Sequence, residues 1–202
     1  MSEPSKDQSS QSQRTILVTG STGRQGHALV TALSSSTEQF NVLALTRDPN
    51  SIAAQQLLKE TERNGNLTVS LIQGDLDDSK SIRGIFEDAE KGGGIWGVFA
   101  VFAFPGLGAN ADGEAKQGIV RGYFFQFTEL FMTVCPFQSL ADISQFGVEY
   151  FVLSTVERGG EVHDDNLVLD SAVKVKIERH VKLLGSKGLN WMLVFFIERV
   201  MV

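Results

Sequence analysis

At 202 residues and 22.1 kDa the chain suits a single domain, and 42% hydrophobic against 21% charged residues predicts a packed core. A net charge of −6 without any basic block argues against a nucleic-acid footprint, which needs clustered Lys and Arg. One cysteine, Cys135, excludes an internal disulfide and fits a reducing compartment.

The first thirteen residues, "MSEPSKDQSSQSQ", are polar and Ser/Gln-rich and read as a disordered lead that is neither a secretory signal nor a transit peptide. No apolar stretch reaches the ~20 residues that span a bilayer. These features predict a soluble protein of the cytoplasm, with the nucleus as the alternative, that engages no membrane. The domain is expected to fill residues 14–202.

From Arg14 onward, short apolar runs alternate with helical patterns. "TILVT" (15–19) reads as a buried strand and leads into a glycine-rich loop. Leu29, Val30 and Leu33 mark one face of a first helix that ends at the serines of 34–36. "FNVLALT" (40–46) is a second strand, and Asp48-Pro49-Asn50 turns the chain into a weakly patterned helix over roughly 51–63. "NLTVSLIQ" (66–73) is a third strand, closed by Gly74-Asp75. Ile82, Ile85, Phe86 and Ala89 form a helical stripe, and "IWGVFAVFAF" (95–104) is a fourth strand. "VEYFVLST" (148–155) and "LNWMLVFF" (189–196) supply two more, separated by a helix striped with Val173, Ile177, Val181 and Leu184. Strands apolar on both faces, alternating with amphipathic helices, predict an α/β fold with a doubly wound parallel sheet.

The loop after the first strand, "VTGSTGRQG" (18–26), places Gly20, Gly23 and Gly26 at a three-residue spacing between a strand and a helix. That context suits a dinucleotide diphosphate held by the amide N–H groups of Gly20, Ser21, Thr22, Gly23, Arg24, Gln25 and Gly26 at a helix amino end. Gly20 permits the tight turn, Gly23 lets backbone approach the diphosphate, and Gly26 lets the helix pack closely. The competing reading is a glycine-rich turn that binds nothing.

Thr46-Arg47-Asp48 ends the second strand, where an acidic residue would suit the ribose of NAD and an arginine the 2′-phosphate of NADP. Arg47, helped by Arg24, points to NADP, with NAD as the alternative; Asp48, before Pro49, is equally a turn residue. Asp75 and Leu76 after the third strand are placed near the adenine. Phe104 ends the fourth strand, beside the nicotinamide half. The three histidines and the carboxylates show no metal-ligand spacing, so no metal is expected.

Six stretches carry a family resemblance: "ILVTGSTGRQG", "VLALTRDPNS", "VSLIQGDLDD", "GIWGVFAVFAFPG", "FGVEYFVLSTVERGG" and "KVKIERHVKLLGSKGLNW". Together they resemble the NmrA-like family, atypical members of the short-chain dehydrogenase/reductase superfamily. The resemblance implies a Rossmann fold binding NADP(H) or NAD(H). It also implies some members that sense redox state by binding regulators and others that reduce small substrates.

Oxidoreductases of the wider superfamily use Tyr-x-x-x-Lys. Here the tyrosines are Tyr123 and Tyr150, neither followed by lysine four residues on, and the position four before Lys174 is Asp170. Lys174 matches the lysine of the family's K-x-x-I-E helix, which implies a hold on the nicotinamide ribose and makes it the one catalytic candidate. Ser154 and Thr155 stand where relatives carry a serine near the substrate. The expected function is therefore an NAD(P)(H)-binding redox sensor acting through a regulatory protein partner. The alternative is an NADPH-dependent oxidoreductase of a small carbonyl or quinone.

Two stretches depart from the family. Residues 120–138, "VRGYFFQFTELFMTVCPFQ", hold five of the fourteen phenylalanines, and deleting them restores the family register. The segment reads as an intron carried into the translation or, failing that, as an inserted amphipathic helix covering a groove. After Trp191 the family continues through an Arg-Pro into a substrate lobe, whereas "MLVFFIERVMV" lacks that pair. The lobe is expected to be truncated, leaving the nicotinamide end poorly closed to water.

Overall fold

The computed structural model describes residues 13–63, 68–102, 146–155, 174–175, 177–179, 181–182 and 190–195. Their elements run β1 (Arg14–Val18), α1 (Arg24–Ser34), β2 (Phe40–Thr46), α2 (Ile52–Glu62), β3 (Thr68–Gln73), α3 (Ser79–Glu90), β4 (Gly97–Ala100), β5 (Tyr150–Thr155) and β6 (Asn190–Phe195). The described residues of 174–182 are helical as well. Phe104, the 120–138 segment, the lead 1–12 and the last residues 196–202 lie outside the described residues.

All six strands are parallel and lie in the order β3-β2-β1-β4-β5-β6. This is the Rossmann-type doubly wound order, in which the chain reverses direction across the sheet between β1 and β4. α1 and α2 cover one face of the sheet, and α3 with the described helical residues of 174–182 covers the other.

Side-chain alternation along each strand divides the core into two layers. Leu17, Leu45, Val98, Phe151 and Leu153 face α3 and the 174–182 helix, where they meet Ile82, Ile85, Phe86, Ile177 and Val181. Their neighbours Val18, Ala44 and Phe99 face the opposite way and pack with Val30 of α1 and Leu57 of α2. Phe86, 2% exposed, stacks on Phe146 with ring centroids 5.3 Å apart. Phe86→Ala should lower unfolding stability by about 3–5 kcal/mol, because both the transfer term and the cavity left behind count against it. A chemical-denaturation midpoint unmoved by this substitution would contradict its place in the core.

The elements follow their sequence patterns closely, with two informative differences. Of the strand expected over 95–104, the described residues 95–102 are hydrogen-bonded as strand over Gly97–Ala100. Val98 and Phe99 pair with Leu17 and Val18 on one side and with Phe151 and Val152 on the other, and it is β1 that ends here, while β5 runs on to Thr155. Beyond Ala100 the neighbouring β1 has already turned into its loop. The weakly patterned second helix is nevertheless complete, because Ser51 caps it by accepting a hydrogen bond from the Ala54 amide at 3.3 Å.

Candidate functional site

The carboxyl ends of β1, β2 and β3 open onto a cleft of about 460 Å³. Gly20, Thr22 and Gly23 form one wall, Thr46, Arg47, Asp48 and Ser51 a second, and Gly74, Asp75 and Leu76 a third. Val101 and Phe102 close it beside β4. The loop, the end of β2 and the end of β3, far apart in the chain, meet here as a doubly wound sheet requires.

The glycine loop has little freedom to be anything else. Gly20 sits at φ +59°, where L side chains are strained, and a Cβ there would come within 3.2 Å of Val101 Cβ. Just beneath, Thr19 Oγ1 donates to the Val101 carbonyl and accepts from the Val101 amide, both at 2.8 Å. This hydroxyl continues the β1–β4 ladder for one more step after both strands have ended. Ser21 is buried and donates to the Leu45 carbonyl at 2.7 Å, so its side chain fastens the loop to β2 rather than facing the cleft.

Gly23 caps α1 without any side-chain hydrogen bond, and no acidic residue stands in the first turn. The opening amides of a helix have no intrahelical acceptor, so the start of α1 presents donors and partial positive charge. A Cβ on Gly26 would lie 2.3 Å from the Gly20 carbonyl oxygen and 2.8 Å from Ser21 Cα. Gly26 therefore lets the helix pack against its own loop.

Arg47 is exposed on the rim, with its carbonyl accepting from Gln73 Nε2 at 3.2 Å. Asp48 is engaged in the turn: its Oδ1 accepts from the Asn50 amide at 2.9 Å, and its carbonyl accepts from the Ser51 amide at 3.1 Å. Asp75 is similar, with Oδ1 accepting from the Asp77 amide at 2.9 Å. Asp78 is the residue that caps α3, through a bond from the Lys80 amide. A Cβ on Gly74 would meet the Ile85 and Leu45 methyl carbons at 2.7 Å, so a side chain there would have to displace both. Arg24 lines an adjoining shallow depression that shares Thr22 and Gly23 with the cleft and is completed by His27, Thr31 and Glu60. There His27 Nε2 and Glu60 Oε2 are 2.8 Å apart and tie α1 to α2. Hydrogen bonds from Gln56 and His27 hold the Glu60 carboxyl below its ordinary value. Whatever that exposed carboxylate contributes to folding is present above the ordinary carboxylate pKa and lost as pH falls through the lowered one.

A second group of polar residues gathers at the end of β5. Ser154 Oγ donates to Gln25 Oε1 at 2.6 Å, and Thr155 Oγ1 donates to Glu178 Oε1 at 2.5 Å. Glu178 is 1% exposed. Lys174, half-buried, stands one helical turn before it. Tyr150 is at the other end of the sheet: it opens β5, and its ring lies 4.7 Å from that of Trp96. Five residue steps along the strand, about 16 Å, separate it from Thr155, so it supplies no phenol to the carboxyl-end crevice. Among the described residues no cluster of His, Cys, Asp and Glu could hold a metal ion, and no helix is long and apolar enough to cross a membrane.

Of the residues singled out from sequence, Gly20, Thr22, Gly23, Arg47, Asp75 and Leu76 line one cleft. Gln25 meets the β5 end through Ser154, Lys174 stands one helical turn before Glu178, the Ser21 side chain and Gly26 hold the loop itself together, and Arg24 borders the adjoining depression. Sequence reading missed Thr19, Thr46, Ser51 and Glu178. Ser51 had a visible signal as a serine just before a helix, and the Thr46 hydroxyl bonds only the backbone of Asp48, two residues on; Thr19 and Glu178 make bonds that no local pattern announces.

The family model for the NmrA-like family matches residues 12–118. The chain belongs to the NmrA-like family. Two relatives agree: the NmrA-like family domain-containing oxidoreductase ptmS of Penicillium ochrochloron is 36% identical over 89 residues, covering 44% of this chain and 23% of that protein. Its counterpart hkm9 of Aspergillus hancockii is 29% identical over 170 residues, covering 84% and 42%. This NmrA-like chain thus spans less than half the length of either relative. Among solved structures, the NADH-dependent reductase A1-R' complexed with NAD superposes with a TM-score of 0.57 at 14% identity, covering 91% of this chain and 78% of that one. The leucoanthocyanidin reductase–NADPH complex of Vitis vinifera gives 0.54 at 17%, covering 90% and 49%. At such identities the likeness concerns the fold.

Proposed function

We propose that this NmrA-like chain binds NADP(H), with the diphosphate over the start of α1 and the adenosine half in the cleft, and that it works as a redox-responsive regulator of a protein partner. The observation that carries the reading is the uncapped amino end of α1, delivered to the sheet's reversal point by a loop too tight for side chains at Gly20 and Gly26. Donors gathered there suit a diphosphate. Gly74, Asp75 and Leu76 form a wall suited to an adenine, and Arg47 stands where a ribose 2′-phosphate would project. The solved neighbours include one holding NAD and one holding NADPH, so either nucleotide lies within the range of the fold. Arg47, together with an Asp48 carboxylate already taken up by its own turn, favours NADP(H).

The regulatory reading rests on chemistry that is missing. No tyrosine precedes Lys174 by four residues, and Tyr150 is at the far end of the sheet, so among the described residues no tyrosine phenol stands at the crevice to pass a proton in carbonyl reduction. A second reading, an NADPH-dependent reductase of a small carbonyl or quinone using Lys174, draws support from the oxidoreductase names of both relatives.

Calorimetric titration of the whole chain tests the binding. NADPH is expected to bind at least ~10-fold more tightly than NADH, about the worth of one charge-assisted contact. Absence of heat with both nucleotides would remove the reading. Incubation with NADPH and a panel of carbonyls and quinones then separates regulator from enzyme: steady loss of the nicotinamide absorbance would establish the second reading over the first.

A further inference from the structure

We propose that the buried Thr155–Glu178 pair is a clamp that sets the position of Lys174 at the nicotinamide end of the crevice, making Thr155 and Glu178 positioning residues for the bound dinucleotide. This inference rests on the dinucleotide reading above.

Two contacts fix the direction of the 174–182 helix. Glu178 meets Thr155, the last residue of β5. Four residues later, Lys182 Nζ lies 5.9 Å from the ring centre of Trp191, whose register partner is Phe151, near the start of β5. The helix therefore runs from the carboxyl end of the sheet back toward its amino end. Lys174 precedes Glu178 by four residues, which places it on the same helix face. It also places it about 6 Å further along the axis, beyond the end of β5. That is the side of the sheet on which the glycine loop opens.

The clamp is well built for precision. Glu178 is 1% and Thr155 2% exposed, so the bond is shielded from competing water. It is flanked by the apolar contacts of Ile177 and Val181 in the core, which stop the helix from sliding. Ser154, the preceding residue, faces the opposite side of the sheet and donates to Gln25 in the first turn of α1. One strand end thus holds α1 through Ser154 and the helical residues around Glu178 through Thr155, one hydroxyl for each.

A clamp of this kind predicts a loss confined to one half of the ligand. Thr155→Val removes the hydroxyl with little change of shape and should weaken NADPH about 10-fold, while adenosine 2′,5′-bisphosphate, which lacks the nicotinamide half, should bind within ~2-fold of wild type. Lys174→Met should show the same split, and the double variant should lose no more than either single one, since both act through Lys174. Glu178→Gln keeps an acceptor for Thr155 and should stay within ~3-fold of wild type. Glu178→Asp, which withdraws the acceptor by one methylene, carries the Thr155→Val prediction if that variant does not fold. Equal losses for both ligands, additive effects in the double variant, or a Glu178→Gln as damaging as Thr155→Val would overturn the clamp. If wild-type protein binds neither ligand, the dinucleotide reading itself falls, which is a different result.

Discussion

Gly26→Ala should abolish measurable dinucleotide binding and lower the stability of the fold by about 2–3 kcal/mol, the range for forcing one methyl into a full site. The added carbon would sit 2.3 Å from the Gly20 carbonyl oxygen, 2.7 Å from the Gly20 carbonyl carbon and 2.8 Å from Ser21 Cα. All three are backbone atoms, so no side chain can rotate out of the way. The loop must move, yet it is held by Ser21 on the Leu45 carbonyl and by the Gly23 amide on the Gly20 carbonyl at 2.9 Å. Relief comes only by prising α1 from its loop, which misdirects the amides proposed to face the diphosphate. The contrast is Gly84→Ala on α3, where the new carbon meets nothing within 4 Å. There the helix gains roughly 0.5–1 kcal/mol from the lost flexibility of glycine. Thermal melts and NADPH titration of both variants check the pair. A Gly26→Ala protein that binds NADPH normally would show that the tight loop is architectural only.

Arg47→Ala should weaken NADPH by about 10- to 30-fold and leave NADH within ~2-fold, the loss expected when one guanidinium contact to a phosphate is removed. Arg47 is exposed at the rim of the cleft and free of any hydrogen bond to Asp48, whose Oδ1 is taken by the Asn50 amide. NADH has no 2′-phosphate, so a residue acting only on that group leaves it alone. Asp48→Asn supplies the opposite test. If Asp48 gripped the ribose hydroxyls of NAD, this variant would weaken NADH selectively; with Asp48 acting in its turn, both affinities should stay near wild type. Equal weakening of NADPH and NADH by Arg47→Ala would remove its assigned role. Raising the salt concentration should cost NADPH more than NADH, because the pair lies near solvent and is screened.

Local pattern carried most of the fold. The helical stripe of Ile82, Ile85 and Phe86 does become the buried face of α3, the apolar run at 40–46 becomes β2, and that at 148–155 becomes β5 from Tyr150 on. The glycine spacing was legible because steric demand on backbone is local: Gly20 needs a positive φ, and that need is met within one turn. The cleft residues Arg47, Asp75 and Leu76 were legible for a related reason. A parallel sheet sends the carboxyl end of every strand to the same side, so the residue after each strand is a site candidate from its position alone. The end of β4 at Ala100 was not legible, since it falls where the neighbouring β1 turns into its loop, although β5 on the other side runs on to Thr155.

By itself, then, the amino-acid sequence determined the alternation of strands and helices, the family, the tight loop and the cation at its rim, because periodicity, steric limits and chain order all act over a few residues. Tertiary structure alone decided that Ser154 meets Gln25 across 129 positions, that Thr155 meets Glu178, and that Tyr150 lies at the wrong end of the sheet to stand in for the missing phenol. Each of those depends on which faces and ends a folded sheet brings together, and a single hydroxyl or carboxylate carries no mark of its distant partner until the strands have assembled.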